Sequence, residues 1–285
     1  MVMQTESFYR EFSIPKRNGG IRTISAPYPS LLSCQRWIRE NIIAKIPIHE
    51  AAHGFIPHRS IITNAEPHLG REWLLKIDIL DFFPSIDVRR IVWLFKQCGY
   101  ARDVSFFLAR LCTLNEKLPQ GSAASPTLSN IVFAQTDKRL SLLANCWDLK
   151  YTRYADDLTL SGNYIPAKFI EIVYSILISE GFTPNKEKTR LIGPKGRKIV
   201  TGVSVSGAQL KLPKATKRQV RKEIHYLLRF GLEKHSKRIG LYDPIYAERL
   251  LGKLAFWKQI EPENIYVNEA MTNMQSMRLR LNNLV

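Results

Sequence analysis

The chain has 285 residues, 45% of them hydrophobic, which is enough for one large domain or two modest ones. Its 42 lysines and arginines outnumber 25 aspartates and glutamates, and the net charge of +17 favours an anionic partner, nucleic acid before an acidic membrane surface. Its four scattered cysteines form no Cys-x-x-Cys pair, and no apolar run approaches membrane-spanning length, so neither a zinc site nor a membrane span is expected. The N-terminus lacks a signal-peptide core, and together with reduced thiols this predicts a cytosolic protein.

A basic β-hairpin is predicted near the N-terminus. Asn18-Gly19-Gly20 is a hairpin-turn signal between two β-patterned runs, and it puts Lys16 and Arg22 on opposite arms. From these residues alone, a hairpin that closes on a nucleotide triphosphate and an ordinary solvent-exposed hairpin are equally good interpretations. Apolar residues at helical spacing from Pro29 to Ile43 predict a helix after the hairpin.

The next clear element is an apolar strand that starts at Trp73 and ends on the carboxylate of Asp78. A buried strand that delivers a lone carboxylate is costly unless a charged group meets it. Two aromatic residues, Phe82 and Phe83, follow soon after, and strand alternation would direct their rings to opposite sides. Core packing is the alternative interpretation of both rings.

A glycine-containing loop leads into a helix in the middle of the chain. The pattern at residues 89–118 predicts two helices, and Pro119-Gln120-Gly121-Ser122 follows them. Gly121 would let the backbone approach a ligand closely. Ser125 and Pro126 suit the N-cap and the first position of the next helix.

Two adjacent carboxylates, Asp156 and Asp157, lie between β-patterned runs at 149–153 and 158–160. This pattern predicts a hairpin with the acid pair at its tip. Adjacent like charges repel each other, so a stable site requires cations between them and their partners. An isolated pair of this kind is best interpreted as a solvated turn, but with Asp78 it forms a three-carboxylate cage for two Mg²⁺ ions.

These motifs resemble those of reverse transcriptases. Tyr154-Ala-Asp-Asp157 is similar to the family's catalytic box, and Lys76-Ile-Asp78-Ile-Leu-Asp81 is similar to its first aspartate motif. The resemblance implies RNA-directed DNA polymerase activity with two Mg²⁺ ions. The metal ligands that it implies are Asp78, Asp156 and Asp157.

The resemblance also assigns roles around the incoming dNTP. It implies that Lys188 protonates the pyrophosphate leaving group, with Lys186 as the alternative. The ring of Phe83 would lie under the sugar and exclude a 2′-hydroxyl group. The residues assigned to binding of the nucleotide and template base are Lys16, Arg22, Phe83, Gln120 and Gly121.

Two further signatures resemble those of bacterial retron reverse transcriptases and imply recognition of RNA. The first is Asn64-Ala-x-x-His68, and the second is Val200-Thr201-Gly202 in a predicted hairpin with its turn near Ser206-Gly207. Such an enzyme, in the bacterial cytoplasm, primes on a 2′-hydroxyl of its own structured non-coding RNA and copies part of it. The implied partners are this RNA, the RNA–DNA hybrid product, dNTPs and an effector protein of phage defence, with no membrane.

The implied fold is an α+β right-hand polymerase with an antiparallel-sheet palm, helical fingers and a helical thumb. The predicted fingers are residues 1–75 with the helices of 88–118. The palm is predicted at 76–87 and 119–207, and the thumb at 208–285.

The basic residues are concentrated late in the chain. Residues 186–238 contain 16 basic and 3 acidic residues, which fits a phosphate backbone better than general solubility. A basic amphipathic helix is predicted from Lys214, and a short C-terminal helix at 271–285. Two alternatives stay open: a reverse transcriptase of another bacterial group, such as a group II intron enzyme, and a catalytically silent RNA-binding protein on a polymerase fold.

Overall fold

The structure is a computed structural model that describes residues 2–16, 19–239, 243 and 245–282. The predicted hairpin turn at Asn18 and the last three residues of the predicted C-terminal helix therefore lie outside the described residues. The chain forms two compact units, Met1–Gly196 and Arg197–Val285.

The first unit contains six helices and six strands within the described residues. The helices are α1 (Pro29–Asn41), α2 (Ile61–Ala65), α3 (Val88–Gln97), α4 (Arg102–Cys112), α5 (Ser125–Cys146) and α6 (Ala167–Ser179). The strands are β1 (Tyr9–Pro15), β2 (Ile21–Pro27), β3 (Trp73–Ile79), β4 (Lys150–Tyr154), β5 (Asp157–Gly162) and β6 (Pro184–Ile192). Short 3-10 segments lie at Val2–Phe8, Ile43–Lys45 and Glu66–His68.

A four-stranded antiparallel sheet in the order β4-β5-β3-β6 forms the centre of this unit. Along β3, Leu75, Ile77 and Ile79 are buried and share one core with α5 and α6. Because side chains alternate along a strand, Lys76 and Asp78 point to the opposite face. The antiparallel sheet packed against helices confirms the predicted α+β class.

Strand β6 has no counterpart in the sequence analysis. Its residues read Pro-Asn-Lys-Glu-Lys-Thr-Arg-Leu-Ile, and most of the charged side chains are exposed. Edge strands commonly carry charged residues, which discourage pairing with other chains. Because of this composition, β6 lacks the alternation of apolar and polar residues that would predict a strand. It nevertheless pairs with β3, the strand that carries Asp78.

The second unit begins with two short paired strands, β7 (Ile199–Val200) and β8 (Val203–Ser204). The turn between them is Thr201-Gly202, with φ angles of 44° and 88°, and tight hairpin turns favour positive φ at both central residues. The predicted hairpin with its turn near Ser206-Gly207 is therefore corrected to two successive turns, since Ser204 also pairs with Lys211. Its helices are α7 (Lys214–Ile239), α8 (Tyr246–Ile260) and α9 (Ile265–Asn282).

Helix α7 is interrupted at Gly231, where φ is 76° and ψ is 166°. Helix α9 begins at Ile265, earlier than the predicted start at 271, because Val267, Ala270 and Met274 are buried at helical spacing. Among the helices of the described residues, none combines the length and the apolar character that a bilayer crossing requires.

Candidate active site

The two strands of the hairpin that carries the acid pair, β4 and β5, meet at Ala155 and Asp156. Ala155 has a φ angle of 56°, a left-handed conformation that is uncommon outside glycine. The carbonyl of Asp156 accepts a hydrogen bond from the amide of Ile79 at 3.1 Å, which ties the turn to the end of β3. The predicted hairpin with the acid pair at its tip is therefore present, and Asp157 is the first residue of β5.

Strand register brings the third carboxylate to the same place. Asp78 lies directly opposite Asp157 in the β3–β5 pair. Opposite residues of an antiparallel pair project from the same face of the sheet. Asp78 and Asp156 both line a cleft of about 750 Å³. The predicted residues that also line this cleft are Lys16, Arg22, Phe83, Gln120 and Lys188.

The two adjacent carboxylates, Asp156 and Asp157, lie in an environment that disfavours their charged forms. Burial, with a smaller contribution from the negative charges of Asp157 and Asp78, raises the pKa of Asp156 to about 6. Burial also raises the pKa of Asp157, against the lowering effect of Lys76. A bound cation would reverse this penalty.

The remaining partners of Asp78 come from β6. Its Oδ2 accepts hydrogen bonds from Lys188 Nζ at 3.0 Å and from Asn185 Nδ2 at 3.2 Å. The hydrogen bond to Asp78 is the main cause of a raised pKa for Lys188. The predicted lysine therefore lies beside the carboxylates, whereas Lys186 Nζ lies 6.0 Å from the ring centroid of Tyr174.

Asp78, Asp156 and Asp157 lie at the same end of the sheet, but their carboxylates do not meet at a single point. Among the described residues, no group of three or more His, Cys, Asp or Glu side chains is gathered closely enough to hold a metal ion. The donor set nevertheless suits hard divalent cations, which prefer carboxylate oxygens. Burial and the neighbouring negative charges together raise the pKa of Asp156, and a bound cation would favour its charged form.

Removing the charge of Asp156 is expected to stabilise the metal-free protein at neutral pH. Its folded pKa of about 6 exceeds the ordinary 3.8, so between these values the folded state binds more protons and stability falls as pH rises. In EDTA at pH 8, Asp156→Asn should raise the free energy of unfolding by up to about 3 kcal/mol. Denaturant titrations from pH 4 to 8 measure this, and the gain should disappear below the lower pKa.

The control for that experiment is Asp148→Asn, which removes an exposed carboxylate from the residue that precedes β4 by two positions. It should show no pH-dependent gain. Equal behaviour of the two variants would mean that Asp156 is solvated in the folded protein.

Phe82 and Phe83 occupy different environments, but strand alternation is not the reason, because β3 ends at Ile79 and both residues lie in the turn that follows it. Phe82 is 3% exposed and packs in the core against Phe133, with ring centroids 5.7 Å apart. Phe83 is partly buried, and its ring centroid lies 6.2 Å from that of Phe55 at the cleft. Both residues line the cleft, and Phe83 is the more exposed of the two.

The basic hairpin is docked on the Gln120 loop. The carbonyl of Gln120 accepts a hydrogen bond from the amide of Ser25 at 2.9 Å. Gly121 has a φ angle of 124°, and a Cβ atom there would lie 2.7 Å from the carbonyl oxygen of Ser25. The close approach predicted for Gly121 is thus to strand β2 rather than to a ligand.

Asn64 and His68 are wholly buried, each with 0% exposure. The two ring nitrogens of His68 lie 2.6 Å from Ser161 Oγ and 2.8 Å from Thr152 Oγ1, and burial lowers its pKa to about 3. This burial is inconsistent with the expectation that either side chain contacts RNA directly. Both residues instead connect the segment before β3 to the hairpin of β4 and β5, since the carbonyl of Asn64 also accepts a hydrogen bond from Thr152 Oγ1.

The second RNA-recognition signature lies in the second unit. Val200 is 0% exposed, so a direct RNA contact of its side chain is also inconsistent with the structure. Gly202 is exposed at the tip of the β7–β8 turn, and Thr201 beside it is partly exposed. Within Val200-Thr201-Gly202, Thr201 and Gly202 are therefore the residues accessible to a binding partner.

Several residues around the cleft were missed from the sequence. Gln35 is 0% exposed and connects helix α1 to the Gln120 loop. Its Oε1 accepts a hydrogen bond from Ser122 Oγ, and its Nε2 donates to Tyr9 Oη and the Leu111 carbonyl. Asn185 was missed because it belongs to the unpredicted strand β6. The signal that could have identified Gln35 is a glutamine at helical spacing between the apolar residues Leu31 and Ile38.

The comparisons with known proteins agree with this geometry. Residues 14–227 match the family described as reverse transcriptase (RNA-dependent DNA polymerase). A telomerase structure from Candida albicans, in complex with a fragment of telomeric RNA, has a TM-score of 0.50 and 11% identity, with 94% of this chain and 63% of that chain covered. That likeness supports the fold alone. The chain belongs to the reverse transcriptase family, whose members are RNA-directed DNA polymerases.

Within this family, the chain is a retron-type reverse transcriptase. It is 35% identical to the retron Ec86 reverse transcriptase of Escherichia coli, with 80% of this chain and 72% of that protein covered. It is also 35% identical to the retron Mx162 reverse transcriptase of Myxococcus xanthus, with 91% and 59% covered. The chain thus spans less than two thirds of the Mx162 protein. These relatives favour the retron group over the group II intron alternative.

Replacing Phe83 with alanine is expected to weaken discrimination against ribonucleotides. Removing the ring opens space at the cleft, and the preference for dGTP over GTP should fall by roughly 10- to 100-fold. Single-nucleotide incorporation with each substrate measures the change. Phe82→Ala should instead lower the melting temperature, because Phe82 is a core residue. A changed sugar preference in Phe82→Ala alone would contradict this assignment.

Proposed function

We propose that this protein copies part of a cognate structured non-coding RNA into DNA by two-metal nucleotidyl transfer, as part of anti-phage defence with an effector protein. The observation that carries the proposal is the 35% identity to the Ec86 retron enzyme, combined with a cleft that Asp78 and Asp156 line together. The retron class supports the self-encoded RNA template and the defence role. The cleft supports the chemistry.

Asp78, Asp156 and Asp157 are the proposed ligands of two Mg²⁺ ions. When bound, such ions lower the pKa of an attacking hydroxyl group and stabilise the negative charge of the transition state. Lys16 and Arg22 project from the fingers hairpin into the same cleft and would bind the triphosphate.

Lys188 is the proposed general acid. Its Nζ, 3.0 Å from Asp78 Oδ2, carries the proton that the pyrophosphate leaving group requires. Asn185 holds the same Asp78 oxygen and would fix the carboxylate's orientation. Lys186 is a weaker candidate, because its Nζ lies near the Tyr174 ring.

RNA binding is proposed to combine nonspecific affinity with a few shaped contacts. The 16 basic residues within 186–238 would supply salt-dependent attraction to phosphates. Structured RNA is read mainly through shape, phosphates and 2′-hydroxyls. Thr201 and Gly202, at an accessible turn, are the proposed contacts, and Asn64, His68 and Val200 would act indirectly by holding the surrounding backbone.

The experiment is to express the gene together with its flanking DNA, purify the protein and sequence the nucleic acid that copurifies. A single structured RNA joined to a complementary DNA through a 2′-linkage is the expected result. The same preparation of Asp156→Asn should contain the RNA without the DNA. A mixture of unrelated cellular RNAs would contradict the retron RNA, and RNA without DNA from the unmodified protein would favour the silent RNA-binding alternative.

A further inference from the structure

A fully buried ion pair lies directly beneath the catalytic turn. Arg153 Nε donates to Asp137 Oδ1 at 2.9 Å, and Arg153 Nη2 donates to Asp137 Oδ2 at 2.7 Å. Both side chains have 0% exposure. Tyr151 Oη donates to the same carboxylate at 2.7 Å, and the guanidinium carbon lies 4.5 Å from the ring centroid of Phe133. Burying two charges is costly, so such a pair is weak evidence for a contribution to stability alone.

The third nitrogen of the guanidinium group reaches the catalytic hairpin. Arg153 Nη1 donates to the carbonyl of Ala155 at 3.1 Å and to Asn130 Oδ1 at 3.0 Å. Asn130 Nδ2 in turn donates to the carbonyl of Gly54 at 2.9 Å. A Cβ atom on Gly54 would lie only 2.7 Å from the amide nitrogen of Ala155. The peptide group that follows Ala155 is therefore held by a hydrogen bond, and the one that precedes it packs closely against Gly54.

Ala155 is the residue of this turn that needs such support. Its φ angle of 56° places an L-residue in the left-handed region, where a side chain costs energy that glycine does not pay. Strained backbone of this kind persists only where surrounding contacts hold it. Asp156 follows immediately, so any relaxation of Ala155 moves a proposed metal ligand.

We propose that Arg153, Asp137 and Asn130 form a positioning clamp that holds the strained Ala155 turn and thereby places the Asp156 and Asp157 carboxylates for metal binding. The guanidinium group suits this task because its planar donors satisfy a bidentate carboxylate and a backbone carbonyl at once. Asp137 and Asn130 lie on α5, which follows the Gln120 loop, so the clamp also fixes the acid pair relative to that loop. The inference rests on the proposed two-metal function.

The test separates positioning from folding. In Arg153→Met/Asp137→Leu, apolar side chains replace both buried charges, and replacements of this kind often preserve stability. This variant should keep its cooperative unfolding transition but lose about tenfold or more in kcat, with little change in KM for the annealed template. Terbium luminescence should show weaker lanthanide binding by the same variant, which is a readout independent of turnover.

A rescue experiment addresses the strain itself. Asn130→Ala removes the contacts to Arg153 and Gly54 and leaves the buried ion pair intact, so it is the gentler change. Its kcat loss should shrink when combined with Ala155→Gly, because glycine adopts the left-handed conformation without a clamp. Arg139→Met is the matched control, since it removes a partly exposed ion pair to Glu180 from the same helix.

The outcomes are distinct. Unchanged turnover and unchanged terbium affinity in a folded Arg153→Met/Asp137→Leu variant would overturn the clamp. If that variant does not fold, the Asn130→Ala experiment decides. The clamp would be overturned if Asn130→Ala lowers kcat by the same factor with and without Ala155→Gly. No primer extension by the unmodified protein would instead refute the proposed function, on which the clamp rests.

Discussion

Asp78→Asn is expected to abolish DNA synthesis while leaving the fold intact. The amide keeps the shape of the carboxylate but loses the charge that would hold a divalent cation, and this charge cannot be supplied by Asp156 and Asp157 alone. Because electrostatic stabilisation of the transition state is the largest catalytic term, turnover should fall by a factor on the order of 10³ or more. Primer extension on an RNA template measures the loss.

The same variant also loses the salt bridge between Lys188 and Asp78, which is exposed on the lysine side and contributes little stability. Its melting temperature and its affinity for RNA should therefore stay near those of the unmodified protein. Asp148→Asn, with the same change of net charge at an exposed position, should retain full activity. Substantial primer extension by Asp78→Asn in the presence of Mg²⁺ would refute the two-metal proposal.

Gly54→Ala is expected to have the second-largest effect, although Gly54 is not a predicted site residue. A Cβ atom there would lie 2.7 Å from the amide nitrogen of Ala155 and 3.3 Å from the carbonyl carbon of Tyr154. Both contacts are backbone atoms of the hairpin that carries Asp156 and Asp157, so relieving the clash requires a shift of this hairpin or of the Gly54 backbone against it. A displacement of about 1 Å in a catalytic group can cost on the order of 10² in kcat.

Steady-state kinetics with an annealed primer, together with thermal unfolding, distinguish this effect from loss of structure. Gly252→Ala is the matched control, because a Cβ atom at that position of α8 meets nothing within 4 Å. It should raise stability by up to about 1 kcal/mol, since alanine favours helix more than glycine does. Normal kcat for Gly54→Ala would show that the turn tolerates displacement.

The local part of the site was predictable because it depends on short-range patterns. Apolar alternation identified the strand that ends on Asp78, and turn chemistry identified the hairpin that carries Asp156 and Asp157. The different burial of Phe82 and Phe83 did not follow from strand alternation, because β3 ends at Ile79 and both residues lie in a turn. The family resemblance, confirmed by the match over residues 14–227, supplied the reaction.

Burial was not predictable at the retron signatures. His68 looked available for RNA because its segment reads as a polar turn, yet it is wholly enclosed, with Ser161 and Thr152 as its hydrogen-bond partners. These partners lie 93 and 84 residues away in sequence, so no local pattern reveals them. A polar side chain can be buried where groups remote in sequence form its hydrogen bonds, and only the tertiary structure shows where these groups lie.

Sequence by itself thus determined the chemistry of this protein: its carboxylates, its basic residues and the elements that carry them, all of which are properties of neighbouring residues. Tertiary structure decided which of these residues meet. It placed Asp157 opposite Asp78, brought Asn185 to Asp78 across 107 residues, and buried Arg153 against Asp137 beneath the strained Ala155. Strand register and helix packing set these distances, and both depend on contacts between segments that are remote in the chain.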